Sequence, residues 1–309
     1  MEIVIQIILT GIATGFVYAL FALSISTLYR LTGIVHLALG ELAGLGVFTT
    51  IFLAHGTDPV AGGPASLPTA VAAVGGIVLA GLGGGLVYAV AIAPFVRRGF
   101  SIAWIGGVVA AAMALRGGVE VVFGPGSYTG VDVAHARSLG QSGAIEIGGA
   151  TVQANGLVAG ALAFVLVAVA MRLLDRSRAG LALRAVSDDR DAAALCGVAV
   201  ARLQLFAFTA AATAAGAVGL VATSGVIVDS GSASLLGLKG LVAAVAARFA
   251  SPRTVVASAL GLGLVETTIS NVDLGPFELG PGFGDVVPIA VAILLLNLWT
   301  RRAPLQEAA

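Results

Sequence analysis

The chain has 309 residues, of which 58% are hydrophobic and only 10% charged, and its formal net charge is zero. Soluble domains carry about 25% charged residues, so the composition excludes a soluble core with a charged surface and places the chain in contact with membrane lipid. The neutral balance also excludes a nucleic-acid partner held by phosphate neutralisation.

Apolar segments follow one another along nearly the whole chain. A helix needs about 20 apolar residues, rising 1.5 Å each, to cross roughly 30 Å of hydrocarbon. The lengths of the apolar segments predict an all-α fold, a polytopic membrane helix bundle. We expect about nine transmembrane helices, with eight or ten as alternatives. They form one domain over residues 1–309. The seventh span is short and contains Gly237 and Gly240, so it is either a span or a broken, re-entrant segment. The predicted spans lie near residues 3–28, 33–54, 69–96, 100–123, 154–174, 203–224, 234–250, 252–271 and 282–300.

Glycines recur four residues apart in several of these spans. In lipid, such small faces let helices approach closely. We therefore interpret them as packing contacts within one bundle. The pairs are Gly11 with Gly15, Gly40 with Gly44, and Gly81 with Gly85.

The arginines indicate the orientation of the chain. If nine helices alternate, the arginine-rich connections all fall on one side, which the positive-inside rule makes cytoplasmic. This predicts a multi-pass protein with a cytoplasmic C-terminus and an extracytoplasmic loop at residues 124–153, where Arg137 is the only arginine. The arginine-rich connections hold Arg30, Arg97 with Arg98, residues 175–202, Arg248 with Arg253, and Arg301 with Arg302.

The most charged short stretch is GLALRAVSDDRDAAALCGV, residues 180–198, inside the long connection 175–202. Its acidic residues suit a helix N-terminus, Ser187 or Asp188 can cap that helix, and Gly197 can end it. We therefore predict a helix of two to three turns, which is too short to be stable alone and must dock against the protein or a partner. The alternative is an ordinary solvated connection.

Three segments, residues 11–48, 180–220 and 237–266, resemble the permease subunits of branched-chain amino-acid ABC importers, the LivH-type inner-membrane permeases. Matching residues include Gly15, Tyr18-Ala19-Leu20, Gly33, Gly40, Glu41, Gly180, Arg184-Ala185, Ala193, Gly197, Phe206, Phe208, Lys239 and Glu266. The chain departs from the family pattern at two places. His36-Leu37-Ala38-Leu39-Gly40 replaces the usual Asn-Phe-Ala-His-Gly, and Ala247-Arg248-Phe249-Ala250-Ser251-Pro252 replaces a glycine-rich turn.

The resemblance implies a mechanism, in which the short cytoplasmic helix lies in a groove of an ATPase subunit and transmits ATP-driven closure to the membrane path. It also implies two ATP-binding subunits, a second homologous permease subunit and an extracytoplasmic substrate-binding protein as partners, in the bacterial inner membrane. The candidate coupling residues are Gly180, Arg184, Ala185, Asp188, Asp189, Arg190, Asp191 and Gly197.

Ionisable residues inside spans are candidates for the substrate path. Glu41 and Gly40, close to His36, are predicted to lie on that path, with a polar helix-end anchor as the alternative for Glu41. Lys239, the only lysine, and Glu266 are assigned either to the path or to the membrane interface. Arg116 and Glu120 are four residues apart and are predicted to form an ion pair facing the bundle.

No enzymatic chemistry is indicated. Three scattered histidines and a single cysteine, Cys196, suggest neither a metal site nor a nucleophile and base pair, and no Gly-Lys dipeptide is present to form an ATP-binding loop. We therefore expect no enzyme activity, metal or cofactor in this chain. The favoured function is an importer permease for branched-chain or related small amino acids, and the alternatives are a permease of the same family for urea or short amides, or an ion-coupled secondary transporter.

Overall fold

Helices account for most of the fold. The computed structural model describes residues 2–56, 67–98, 103–124, 126–133, 144–147, 149–271 and 290. Its helices are α1 (Glu2–Thr32), α2 (Leu39–His55), α3 (Thr69–Val87), α4 (Ala93–Arg98), α5 (Ala103–Phe123), α6 (Ala154–Arg176), α7 (Arg178–Asp188), α8 (Arg190–Leu195), α9 (Val200–Ala222), α10 (Ser232–Ala246) and α11 (Pro252–Asn271). A π-helical turn at Tyr88–Ile92 joins α3 to α4. The all-α bundle predicted from the sequence is confirmed.

Short strands interrupt the predicted outer connections. Strand β1 (Tyr128–Thr129) pairs antiparallel with β4 (Ile227–Val228), and β2 (Ala144–Ile147) pairs antiparallel with β3 (Ala150–Gln153). Three of these strands lie in the predicted loop 124–153, which is therefore partly ordered, and β3 leads directly into α6.

Each of the first eight predicted spans corresponds to a helix of the structure. Within the part of the chain that the structure describes, five segments are long and apolar enough to cross a membrane, namely α1, α3 with its extension to Phe95, α5 from Trp104, α6 and α9. Helices α2 and α10 are apolar but shorter, with 17 and 15 residues. The predicted span 282–300 lies outside the described residues, apart from residue 290.

Two predicted spans need correction. Helix α2 begins at Leu39 instead of residue 33, because α1 ends at Thr32 and the next residue, Gly33, adopts a left-handed φ of 71°, so that residues 33–38 are non-helical. Helix α10 is continuous through Gly237 and Gly240, so it is not broken there. Its 15 residues span only about 22 Å at 1.5 Å per residue, which is less than the hydrocarbon thickness.

The predicted glycine contacts are confirmed at all three pairs. A side chain at Gly11 or Gly15 would meet the α11 backbone, and one at Gly40 or Gly44 would meet α10. The third pair, Gly81 with Gly85, lies against threonines of α9. Helix α1 packs against α6, α9, α10 and α11, while α2, α3 and α9 form a second packed group.

The bundle has two distinct ends. Arg30, Asp175, Arg184 and Pro252 line one small cleft, and we call this the arginine end. At the opposite end, the strand end, β1 pairs with β4 and the Asn155 amide donates to the Ser224 carbonyl oxygen at 3.2 Å. Three of the predicted arginine-bearing connections, at Arg30, residues 175–202 and Arg248 with Arg253, thus meet at the arginine end.

The turn after α10 uses left-handed residues that are not glycine. Arg248 and Phe249 have φ angles of 56° and 50°. Their N–H groups donate to the carbonyl oxygens of Val245 and Ala244 at 2.8 and 3.0 Å, which is the Schellman pattern of a helix end. The Phe249 ring stacks on Tyr29 with centroids 4.4 Å apart. This turn lies where the sequence departs from the glycine-rich family pattern.

We expect Arg248→Gly to raise the free energy of unfolding by about 1 kcal/mol relative to Arg248→Ala. Both variants lose the side chain, but only glycine adopts the left-handed conformation without a Cβ clash. Chemical denaturation of the two variants in detergent measures the difference. Equal stability would show that this backbone conformation costs little.

Candidate functional site

A cavity of about 350 Å³ lies between α1, the non-helical segment 33–38, α2, α5 and α10. The residues on α10 that line it include Ser234, Leu238 and Leu241, whose spacing of four and three places them on one helix face. Apolar side chains form most of the wall. The polar side chains that line it are His36, Glu41, Arg116 and Ser234.

Glu41 lies in the first turn of α2, where the chain re-enters a helix beside the cavity. Its carboxylate oxygen Oε1 accepts a short hydrogen bond from the Ser234 hydroxyl of α10. Gly40 makes this contact possible, because a Cβ there would lie 2.5 Å from the Ala233 carbonyl oxygen. The first turns of α2 and α10 are therefore in direct backbone contact, and Glu41 is held at their junction.

The start of α10 is fixed by Asp229. Its carboxylate oxygen Oδ1 accepts hydrogen bonds from the N–H groups of Gly231 and Ser232 at 2.9 and 2.8 Å. A hydrogen bond from the Ser232 hydroxyl, together with these N–H groups, holds the pKa of the Asp229 carboxyl below its usual value. This capping stays in place at neutral pH and is lost as pH falls through that lowered pKa.

His36 is fully buried, at 0% exposure. Its ring packs edge-on against Phe208 with centroids 5.0 Å apart. Neither ring nitrogen has a hydrogen-bond partner among the described residues. Since most buried polar atoms are paired, this histidine is the least satisfied polar side chain lining the cavity.

The predicted pair of Arg116 and Glu120 is present, with Nε and Oε1 3.1 Å apart. Glu120 Oε1 also accepts from the Ser230 hydroxyl at 2.7 Å. The Ser230 contact directs the pair toward the start of α10, on the side of the bundle, although the two side chains remain 48% and 42% exposed. The pair lies at the rim of the cavity, since Arg116 contributes to its lining.

A second polar cluster joins α1, α10 and α11. Lys239 Nζ lies 2.8 Å from Glu266 Oε1, and the two side chains are only 11% and 13% exposed. The Tyr18 hydroxyl lies 3.0 and 2.9 Å from the two carboxylate oxygens of Glu266, and the ammonium lies 5.5 Å from the Tyr18 ring centroid. This buried ion pair has the geometry of a structural link between three helices.

The five predicted path residues therefore fall into two groups. His36 and Glu41 line the cavity, and Gly40 fixes the helix contact beside it. Lys239 and Glu266 pair with each other and do not line that cavity.

The predicted coupling segment contains two helices instead of one. Asp188 is the last residue of α7, and the Ser187 hydroxyl bonds back to the Leu183 carbonyl oxygen. The N-cap of α8 is instead Asp189, which accepts from the N–H groups of Asp191 and Ala192, both at 2.9 Å. The prediction that Ser187 or Asp188 caps the helix is thus wrong, because both residues belong to α7 and the extended residue before α8 is Asp189.

The predicted end of this helix at Gly197 is confirmed. Gly197 has a φ of 87°, and the N–H groups of Gly197 and Val198 donate to Ala194 and Ala193. The turn into α7 also requires glycine, since a Cβ at Gly180 would lie 2.3 Å from the Leu173 carbonyl oxygen. Both glycines of the segment therefore have a backbone role.

Helices α7 and α8 are anchored to the arginine end by a small apolar cluster. Its buried members are Leu31, Val186, Ala193 and Val200. The other side of α8 is open, and Leu195 is 90% exposed. Among the remaining candidates, Arg184, Asp188, Asp189, Asp191 and Gly197 are exposed, Ala185 and Arg190 are partly buried, and Gly180 is buried.

Several structural residues were not predicted from the sequence. Gln204 is fully buried, accepts from the Tyr88 hydroxyl at 2.9 Å and donates to the Leu31 carbonyl oxygen at 2.8 Å. Ser234, the partner of Glu41, and the exposed Leu195 were also missed. A glutamine within an apolar span and a serine beside a glycine-rich helix start are signals that could have identified the first two.

Taken together, a bundle of long apolar helices, a polar cavity among them and an exposed helix pair at one end define an integral membrane protein of the permease type. A family model described as the branched-chain amino acid transport system permease component matches residues 7–296. The chain belongs to this family of transport permeases, and the resemblance found in the sequence is confirmed. No curated protein matches the chain at a significant level. The match favours neither a urea or amide permease nor an ion-coupled transporter.

Proposed function

We propose that the chain is the membrane-spanning subunit of an ABC importer that moves branched-chain or related small amino acids across the bacterial inner membrane. Hydrolysis of ATP takes place on two separate ATP-binding subunits. A second homologous permease completes the membrane path, and an extracytoplasmic binding protein delivers the substrate. The arginine end and the C-terminus face the cytoplasm.

The observation that carries this proposal is the exposed helix pair α7 and α8. The pair is ordered by its own caps and by the apolar cluster, yet it exposes Leu195 and three acidic side chains at the arginine end. Helices this short depend on packing for their stability, and their outer side exposes two leucines, with Leu181 62% and Leu195 90% exposed, which supports a protein contact there. In the proposed importer, the groove of an ATP-binding subunit covers this surface, and movement of that subunit displaces α7 and α8 with the helices they contact.

Replacing Asp188, Asp189 and Asp191 together with alanine should weaken co-purification of the ATP-binding subunits at least tenfold. The variant removes three charges from the docking surface and also the cap of α8, which contributes about 1 kcal/mol. Co-purification from membranes, followed by identification of the accompanying proteins, measures the loss.

Two further variants separate charge from capping. Asp189→Asn keeps the cap and should retain most binding, whereas Leu195→Ser, which leaves all charges in place, should weaken it. Glu146→Ala, an exposed change at the strand end, is the control and should have no effect. Unchanged co-purification in the triple variant would remove the coupling role.

A further inference from the structure

Another cavity, separate from the one beside Glu41, opens on the outside of the bundle between the π-helical turn, α4 and the start of α9. It is a groove of about 600 Å³, which we call the α9 groove, and ligand cavities range from about 300 to 1,000 Å³. Apolar side chains form most of its wall, among them Ala89, Pro94 and Leu205. Arg202 is the one charged side chain among the described residues that line it.

The walls of the α9 groove are joined to each other by buried contacts. The Tyr88 hydroxyl donates to the Gln204 side-chain oxygen Oε1 at 2.9 Å, and the rings of Tyr88 and Phe208 have centroids 5.1 Å apart. Tyr88 is 5% exposed, and Gln204 and Phe208 are fully buried. The π-helical turn and α9 are therefore held at a fixed spacing, and the groove between them is preformed.

Exposed apolar side chains flank the α9 groove. Val90 and Phe206 are 68% and 67% exposed, and each directly follows a residue that lines the groove, Ala89 and Leu205. Both belong to segments that are long and apolar enough to cross a membrane. Side chains of this kind on a spanning helix suit contact with lipid acyl chains.

Arg202 lies at the arginine end of the groove. Val200, two residues earlier, packs in the apolar cluster with Leu31 at that end, whereas Leu205 follows one turn later on α9. Arg202 is exposed, and no carboxylate of the described chain forms an ion pair with it. The lining thus changes from apolar to basic over about 4.5 Å, at 1.5 Å per residue.

The start of α9 adds to the positive potential at Arg202. The N-cap residue is Ala199, which provides no side-chain acceptor for the first turn. The positive end of the helix dipole therefore lies beside the guanidinium without a capping group. Arginine binds phosphate through two parallel N–H donors, so this end of the groove suits a phosphate group.

We propose that the α9 groove binds an anionic phospholipid, with its phosphate at Arg202 and an acyl chain against Ala89 and Leu205. An apolar wall that ends at a cation matches the order of groups in a phospholipid, and basic pockets between membrane helices bind anionic head groups. A phosphate ion alone would leave the apolar wall uncovered. A zwitterionic lipid would bring its own cation close to Arg202, which disfavours it. The inference requires neither a particular transported substrate nor an ATP-binding subunit.

Native mass spectrometry of the purified full chain tests the head-group preference. The chain is exchanged into detergent with equal amounts of phosphatidylglycerol and phosphatidylcholine that carry the same acyl chains. We expect the first bound lipid to be phosphatidylglycerol in excess by about fivefold, the effect of one basic residue at an anionic membrane surface. Equal binding of the two lipids would overturn the proposal.

A matched pair of arginine variants assigns the phosphate site. Arg202→Gln removes the charge and should abolish the preference for phosphatidylglycerol. Arg253→Gln is the control, because Arg253 lies in the first turn of α11 with an 81% exposed side chain and does not line the α9 groove. A preference that survives Arg202→Gln would show that it arises from the general charge of the surface, and the proposal would be wrong.

A second pair of variants tests the acyl part of the site. Ala89→Phe fills the groove and should reduce bound phosphatidylglycerol by about fivefold or more, whereas Ala110→Phe, at an exposed position of α5, should not. A phosphate ion held at Arg202 alone would not respond to either change. Undiminished lipid binding in Ala89→Phe would overturn the assignment to this groove.

Cross-linking in native membranes identifies what covers the α9 groove. A photoreactive amino acid in place of Leu205 should give an adduct with the mass of a phospholipid. An adduct with a protein would show that the groove is an interface between subunits, and absence of a lipid adduct would also contradict the proposal. Arg202 is unchanged in this experiment, so the result stands even if Arg202→Gln does not fold.

Discussion

Replacing Lys239 with methionine should lower the free energy of unfolding by about 3–5 kcal/mol, because it leaves the Glu266 carboxylate buried without its cation. The two side chains are 11% and 13% exposed, and their charged atoms lie 2.8 Å apart. Methionine keeps much of the lysine volume, so the loss reports the missing charge more than a cavity. The measurement is denaturation of the purified chain in detergent micelles.

A double variant tests the physical cause. Lys239→Met combined with Glu266→Leu removes both charges, and replacing a buried pair with apolar residues is often neutral. It should therefore recover most of the stability lost in the single variant, with the lost Tyr18 contact as the remaining cost. A double variant as unstable as the single one would show that α10 and α11 depend on packing at these positions and not on charge pairing.

Replacing Gly40 with alanine should destabilise the chain by about 1–3 kcal/mol or more. The added Cβ would lie 2.5 Å from the Ala233 carbonyl oxygen and 3.1 Å from the Ser234 Cα. These are backbone atoms, so the clash is relieved only if α2 and α10 move apart.

The matched control is Gly118→Ala on α5, where a Cβ meets nothing within 4 Å. Alanine is favoured over glycine in a helix, so this change should not lower stability. The comparison uses thermal unfolding of both variants in the same detergent. A Gly40→Ala chain as stable as the control would show that the contact between the two helix starts is not tight in solution.

The helices could be predicted from the sequence because long apolar runs have few other structures available in lipid. Gly237 and Gly240 show the limit of this reasoning. Glycine is found both where a membrane helix is interrupted and where two helices pack closely, and the sequence does not say which applies. In the structure both are packing positions, against Gly40 and Phe21.

The candidate site was predicted in part. Family resemblance and position selected His36 and Glu41, which the cavity brings together. Their partners were not predictable, because Glu41 and Ser234 are 193 residues apart in the chain and the Tyr18 contact with Glu266 spans 248 residues. Such pairs depend on how helices are arranged, which hydropathy does not encode. The N-cap of α8 is Asp189, whereas the sequence predicted Ser187 or Asp188. An error of one or two residues is usual for helix boundaries.

The end of α8 has a practical consequence. Cys196, the only cysteine in the sequence, follows Leu195 directly and is exposed. A maleimide fluorophore therefore attaches to this chain at a single point, with no engineered thiol. Its emission would change when a protein covers the neighbouring leucine, so assembly can be titrated in real time on unmodified sequence.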